Sequence, residues 1–340
     1  GVSAWSVDAS YAPVSDIKFR TQYSRSFRAP NIAELYTARA QNNVNVSDPC
    51  RNGGTTATQR QYCLSQPGIT GTFNPPATVL SPQITGGNPN LKPEVAKTLT
   101  AGVVLKPSSI PRVTLSVDYF DIKIQDAISS IGAQIAINQC AATNDPSFCA
   151  LVQRDPTSGI IATTSGTPVN AASVRNRGID VELGYRTEIG DVLGVPVAGR
   201  IDAVLNYTYL DEYTTTPYAG AAPVMMLGQQ YYPRHKANLR VAYSKDAVSV
   251  ALNQRYHGAT ELVVGANVPG NKVSAVAYTD MQISYDLSDR YSINVGGNNI
   301  FDVKPPYVPI PYVGTVTGTN TSAAYDIVGT FFYVGLNAKF

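Results

Sequence analysis

The feature that most constrains this chain is a period-two alternation of apolar and polar residues, repeated about eleven times along almost its whole length. Successive side chains of a strand face opposite sides, so each segment separates into an apolar row and a polar row. Trp5, Val7, Ala9 and Tyr11 alternate with Ser6, Asp8 and Ser10; Ile17, Phe19, Thr21 and Tyr23 oppose Lys18, Arg20 and Gln22. The same reading holds for Val113–Tyr119, Ile179–Tyr185, Ala237–Tyr243 and Met281–Leu287. Helical spacing does not fit these stretches. No run approaches the roughly 18 apolar residues that a spanning helix needs. If the chain crosses a membrane it must do so as a closed barrel, because only helices and barrels satisfy every backbone group in lipid.

Alternation alone also suits a soluble sandwich, and three further features decide against that. The polar rows carry full charges, such as Lys18 with Arg20 and Asp180 with Glu182, which suits a wet lumen. Tyrosine is abundant, at 21 residues, and closes the apolar rows. Tyr11, Tyr185, Tyr243, Tyr285 and Phe340 stand at one end, and Tyr119, Tyr207 and Tyr209 at the other, as two interfacial girdles would require. Connections then alternate between short and long. The short set comprises 13–16, 107–111, 244–247 and 288–290, with a longer 187–197 among them; the long set comprises 28–92, 125–172, 214–232, 259–271 and 302–325. Outer-membrane barrels have short periplasmic turns and long outer loops, which places the C-terminus in the periplasm. The last strand sets Val328, Thr330, Phe332, Val334 and Leu336 on one face and ends on aromatic Phe340.

Charged residues make up 15% of the chain and the net charge is +2, too near neutral to argue for a nucleic-acid partner. Four cysteines permit three pairings. The local one, Cys50 with Cys63 and Cys140 with Cys149, is preferred because each bridge would close one Pro/Asn/Gly-rich loop in an oxidising compartment. No histidine stands near either pair, so zinc is disfavoured, and no cofactor is expected. Of the two histidines, His235 stands at a strand start with no acid beside it, and His257 follows Arg255 and Tyr256 near a loop. They read as polar or interface residues, and the chain is not expected to be an enzyme.

Several segments resemble the TonB-dependent receptor family, in family order. They are Ser24-Arg25-Ser26-Phe27-Arg28-Ala29-Pro30-Asn31 with Glu34-Leu35-Tyr36, and Gly87-Asn88-Pro89-Asn90-Leu91-Lys92-Pro93-Glu94. Val117–Ile124, Asn176-Arg177-Gly178-Ile179-Asp180-Val181-Glu182 and Asn298-Asn299-Ile300-Phe301-Asp302 through Pro305-Pro306-Tyr307 complete the set. The resemblance implies an all-β transmembrane antiparallel barrel, of which residues 1–340 are the C-terminal half of a 22-stranded, plugged structure. The family's plug and TonB-contacting segment have no counterpart in the sequence. A second chain or a further segment is expected to supply them with the other strands. The start, Gly1-Val2-Ser3-Ala4-Trp5, is neither a signal peptide nor an initiator and suggests a mature, truncated or cleaved chain.

The same resemblance implies active import across the bacterial outer membrane. The partners would be the TonB energy complex, membrane lipid or lipopolysaccharide, and a small-molecule cargo. A ferric siderophore is preferred over an oligosaccharide or another nutrient, and the rival is a passive or adhesive barrel. Candidate ligand contacts are Arg25, Arg28, Tyr36, Tyr213, Tyr231 and Tyr232, the tyrosines for stacking on rings. Glu34 and Glu94 are candidates to pair with Arg25, Arg28 or Lys92 and hold loop geometry, and Gly178 to permit close packing.

Overall fold

Alternating segments become a sheet when each finds hydrogen-bonding partners on both sides. The computed structural model describes residues 3–189, 198–267, 269–308 and 324–339. The chain begins with β1 (Trp5–Val14) and β2 (Ile17–Arg28), followed in the first long connection by β3 (Ala40–Val46) and β4 (Val79–Thr85). Next come β5 (Glu94–Leu105) and β6 (Val113–Ser130), then β7 (Val152–Arg154) and β8 (Ile161–Ser165) in the second long connection. After these lie β9 (Pro168–Glu188), β10 (Arg200–Thr216), β11 (Val224–Met225), β12 (His235–Lys245) and β13 (Val248–His257). The last are β14 (Thr260–Glu261), β15 (Lys272–Val273), β16 (Val276–Asp286), β17 (Tyr291–Asn298) and β18 (Phe331–Ala338).

One antiparallel sheet runs β1-β2-β5-β6-β9-β10-β12-β13-β16-β17-β18, with β11 added to β10. Its eleven-strand path matches the count of alternating segments. The path does not close on itself: it begins at β1 and ends at β18. Residues paired across neighbouring strands share a face, so the register sorts the side chains. Ser10, Arg20, Gly102, Asp118, Asp180, Thr208 and Lys236 form one row. One residue along each strand, Tyr11, Phe19, Val103, Val117, Val181 and Tyr207 form the next, on the opposite face.

The apolar face is bare. Val7 is 68% exposed, Phe332 71% and Val334 76%. So large an apolar surface marks contact with another apolar phase or partner. The buried clusters lie in the long connections and, for one of them, at the adjoining start of β16.

The polar face is knitted by ion pairs. Arg20 binds Asp118 at 2.5 and 2.8 Å and Ser116 at 2.9 Å. Arg186 and Arg200 share Asp202, and Arg255 binds Asp280 at 2.7 and 2.9 Å. Gly102 sits between Arg20 and Asp118 in the ladder, and a Cβ there would overlap the Asp118 carboxylate. The pair exists because the middle residue has no side chain.

The structure adds to and restricts these expectations. The connections 28–92 and 125–172 carry elements of their own: β3, β4, β7 and β8 and the helices α1 (Ile32–Tyr36), α2 (Ala57–Ser65), α3 (Ala133–Thr143) and α4 (Pro146–Cys149). These segments are too short and polar for periodicity to expose them. In addition, β6 and β9 continue to Ser130 and Pro168 as a paired ribbon beyond the expected strand ends. At 21 residues β9 spans roughly 70 Å, twice what a bilayer needs. Phe340 lies outside the described residues.

Gly178 sits where β10 bulges, between the pairs Leu210↔Gly178 and Glu212↔Arg177. A Cβ on it would overlap the Tyr209 carbonyl oxygen and stand 3.0 Å from the Phe120 ring. Gly178→Val should therefore lower barrel assembly, costing about 1–3 kcal/mol. Gly184→Val, whose Cβ would meet only the Thr114 carbonyl at 3.9 Å, should be tolerated. Heat-modifiable gel migration of the membrane-extracted protein separates the two.

Candidate functional site

All the long connections leave one end of the sheet, and the candidate site residues gather there. The first device is a clamp. Arg28 ends β2 and Glu94 begins β5 directly opposite it. The guanidinium donates to Glu94 at 2.7 and 2.8 Å and to Glu34 at 3.0 Å twice. Glu34 is placed by local chemistry: Asn31 caps α1 and exchanges a capping box with it, and the Asn31 N–H donates to the Glu34 carboxylate at 2.8 Å. Glu94 also accepts from the Ile128 N–H at 2.7 Å, which ties in β6.

The second recurring segment completes the joint. The Asn88 N–H donates to the Glu34 carbonyl and the Gly87 N–H to the Thr37 carbonyl, both at 2.8 Å. A Cβ on Gly87 would stand 2.5 Å from the Leu35 backbone. Asn170 on β9 accepts from the Lys92 N–H and donates to the Lys92 and Asp126 carbonyls. Of the three cations considered for Glu34 and Glu94, the one that takes both is Arg28.

Beyond the clamp, two connections fold into one unit. Strands β3, β4, β8 and β7 form a four-stranded sheet, with β4 and β8 parallel across the two connections. Disulfides join Cys50 to Cys63 and Cys140 to Cys149, the expected local pairing. Both lie in one buried cluster with Tyr62, Ile69, Phe73 and Phe148. Tyr218, from the connection after β10, packs edge-on against Phe148 at 5.0 Å, so a third connection leans on the unit.

At its centre Arg154 and Asp48, 106 residues apart, meet at 2.5 and 2.8 Å and are nearly inaccessible, at 5% and 2%. Burial opposes the charge on Arg154, yet the hydrogen bond and charge of Asp48 outweigh it and raise its pKa. Asp48 also accepts from the Cys50 N–H at 2.9 Å. This pair was not legible beforehand, since neither residue stands in a recurring segment or an alternating row.

The candidate ligand residues divide. Tyr213 stacks edge-on against Tyr232 with ring centroids 4.6 Å apart. It pairs with Asn176 in the ladder, which puts it on the polar face. Tyr231, beside Tyr232, is 61% exposed. Tyr36, at the end of α1, stands exposed apart from them. Arg28 is engaged in the clamp. Arg25 points to the apolar face, paired with Lys97, and donates to the Ser3 carbonyl at 2.8 Å. The segment at 298–307 is also architectural. Buried Asn299 exchanges two hydrogen bonds with Val303 and donates its N–H to Asp280 at 2.9 Å. Among the described residues no cluster of His, Cys, Asp or Glu could hold a metal ion.

A family model described as TonB dependent receptor-like, beta-barrel, matches residues 1–300. Among solved structures, the siderophore receptor PirA from Acinetobacter baumannii aligns with a TM-score of 0.58 at 16% identity, over 99% of this chain and 41% of that one. A mutant of the ferric enterobactin receptor PfeA from Pseudomonas aeruginosa aligns with a TM-score of 0.60 at 17% identity, over 99% of this chain and 40% of that one. At these identities the likeness is one of fold. The chain thus spans about two fifths of the solved structures it resembles. No curated protein sequence matches it.

Two outcomes follow from this geometry. Asp48→Ala would strand a buried guanidinium, at a cost of about 3–5 kcal/mol. Limited proteolysis should then cut within residues 40–85 or 131–165 while the main sheet stays intact. The Arg28 guanidinium and the Asn31 N–H hold the Glu34 carboxyl below its ordinary value. A depressed folded-state pKa means stabilisation that is present above the ordinary carboxylate range and is lost as pH falls through the lowered value. Protection of the α1 amides, corrected for the pH dependence of intrinsic exchange, should therefore fall as the pH drops below the ordinary carboxylate range, and Glu34→Gln should remove that acid dependence.

Proposed function

Since the chain belongs to the TonB dependent receptor-like β-barrel family, we propose that it forms the C-terminal half of the barrel of an outer-membrane importer for a scarce small ligand. The observation that carries this reading is the two-faced ladder. One face is apolar and bare, the other lined with ion pairs, and both edges await further strands. A lipid-facing wall around a wet, plugged lumen has these properties.

On this reading the long connections face outward and the C-terminus lies in the periplasm. Cargo enters between the loops, and an energy-transducing complex acts on a plug supplied by the rest of the protein. The ion pairs of the polar face, Arg20–Asp118 and Arg255–Asp280 among them, offer a charged but internally balanced wall, which suits a surface that a plug must hold and release.

The preferred cargo is a ferric siderophore. The solved relatives are named as siderophore and ferric enterobactin receptors, and Tyr213 on the polar face packs edge-on against Tyr232, beside exposed Tyr231. Aromatic iron chelators can stack on such rings. Sugar faces stack on tyrosine as well, and an oligosaccharide is the competing cargo.

Uptake of radioactive ferric siderophores by cells carrying the full-length receptor tests the proposal. Accumulation should require TonB. The double variant Tyr213→Ala, Tyr232→Ala should raise the half-saturating concentration about tenfold. TonB-independent uptake, or accumulation of an oligosaccharide alone, would refute it.

A further inference from the structure

The edge-on pair Tyr213 and Tyr232 brackets the third long connection, 214–232, and the backbone spaces the two residues. The Tyr213 carbonyl accepts from the Met226 and Leu227 N–H groups at 2.8 and 3.1 Å, and the Tyr232 carbonyl from the Gly228 N–H at 2.8 Å. The Gly228 carbonyl accepts in turn from the Glu261 N–H at 2.7 Å, which ties this stretch to the fourth connection. β11 adds a further tie to β10 through Thr214↔Met225 and Thr215↔Val224.

Between those ties runs 216–223, Thr-Pro-Tyr-Ala-Gly-Ala-Ala-Pro, in which the one large side chain is Tyr218. Its ring meets Phe148 edge-on, with centroids 5.0 Å apart and planes at 82°. Phe148 is held fast. It is buried inside the cluster of the stapled unit and precedes Cys149, which is bridged to Cys140 on α3. Asp145 caps its short helix by accepting from the Ser147 N–H at 2.8 Å. A segment of small residues thus leans through one ring on a body fixed by a disulfide.

We infer that Tyr218 is a positioning residue for cargo: seated on Phe148, it sets where the Tyr213–Tyr232 pair stands. The inference rests on the reading of that pair as cargo contacts. Edge-to-face rings stabilise beyond the area they bury, and the alanines and glycine around Tyr218 supply no substitute contact. Without the ring, 216–223 samples more conformations, and ordering it again on binding lowers affinity. Passage of bound cargo is untouched, so the effect falls on half-saturation and not on the maximal rate.

The test uses the full-length receptor with Tyr218→Ala, which leaves Phe148 in place, and Tyr218→Phe, which keeps the ring. In the absence of cargo, the amides of Met226, Leu227 and Gly228 should lose exchange protection in Tyr218→Ala and keep it in Tyr218→Phe. For uptake of a radioactive ferric catecholate, Tyr218→Ala should raise the half-saturating concentration about fivefold at an unchanged maximal rate. Added to the Tyr213→Ala, Tyr232→Ala receptor, it should raise it no further, because the positioned rings are gone. Unchanged exchange, unchanged half-saturation, an equal loss in Tyr218→Phe, or a full additional increase in the double-variant background would overturn the inference. Uptake that is absent in the unaltered receptor, or indifferent to the double variant, would instead sink the cargo reading on which it rests.

Discussion

Everything in this molecule hangs on a continuous ladder of backbone hydrogen bonds. A strand facing an apolar phase has no water for its N–H and C=O groups, so each must be met by the next strand. The eleven-strand path meets them without a helix or crossover interrupting it. Because the ladder carries backbone satisfaction, side chains are free to divide: apolar ones outward over the span, charged ones to the other face. The division costs nothing extra, since the pleat imposes it.

Charge on the polar face is then a matter of register. Arg20 reaches Asp118 across a strand only because Gly102 lies between them. Where the ladder bulges, opposite Gly178, the faces are re-phased, and this lets Glu212 meet Arg177 and Tyr213 fall on the polar side. One small residue opposite one extra residue thus decides what stands at the mouth.

Above the ladder, a different physics takes over. Two of the long connections, 28–92 and 125–172, fold together. Two disulfides, a shared sheet and the buried Arg154–Asp48 pair bind residues from two connections into one unit. The Arg28–Glu34–Glu94 clamp roots its first stretch to the strands below. The third connection leans on this unit through Tyr218, while Tyr213 at the end of β10 packs against Tyr232.

The sequence by itself determined the strand class, the number of alternating segments and which residues share a face, and it favoured the local cysteine pairing among three. These depend on neighbours two residues apart or on loops that close on themselves, so they are written in short-range order. The segments that resemble the family also announced its fold and a geometric role for Glu34 and Glu94, and in the structure Arg28, Glu34, Gly87 and Asn299 all build joints. Only the tertiary structure decided that Arg154 meets Asp48, that Arg28 takes both glutamates, and that Tyr218 reaches Phe148. Such pairings depend on the register between strands and on how connections cross, and a slip of one residue would move every side chain to the other face. Alternation sets each strand's two faces but says nothing about the offset to its neighbour; turns, bulges and glycines set that offset only once the strands are side by side.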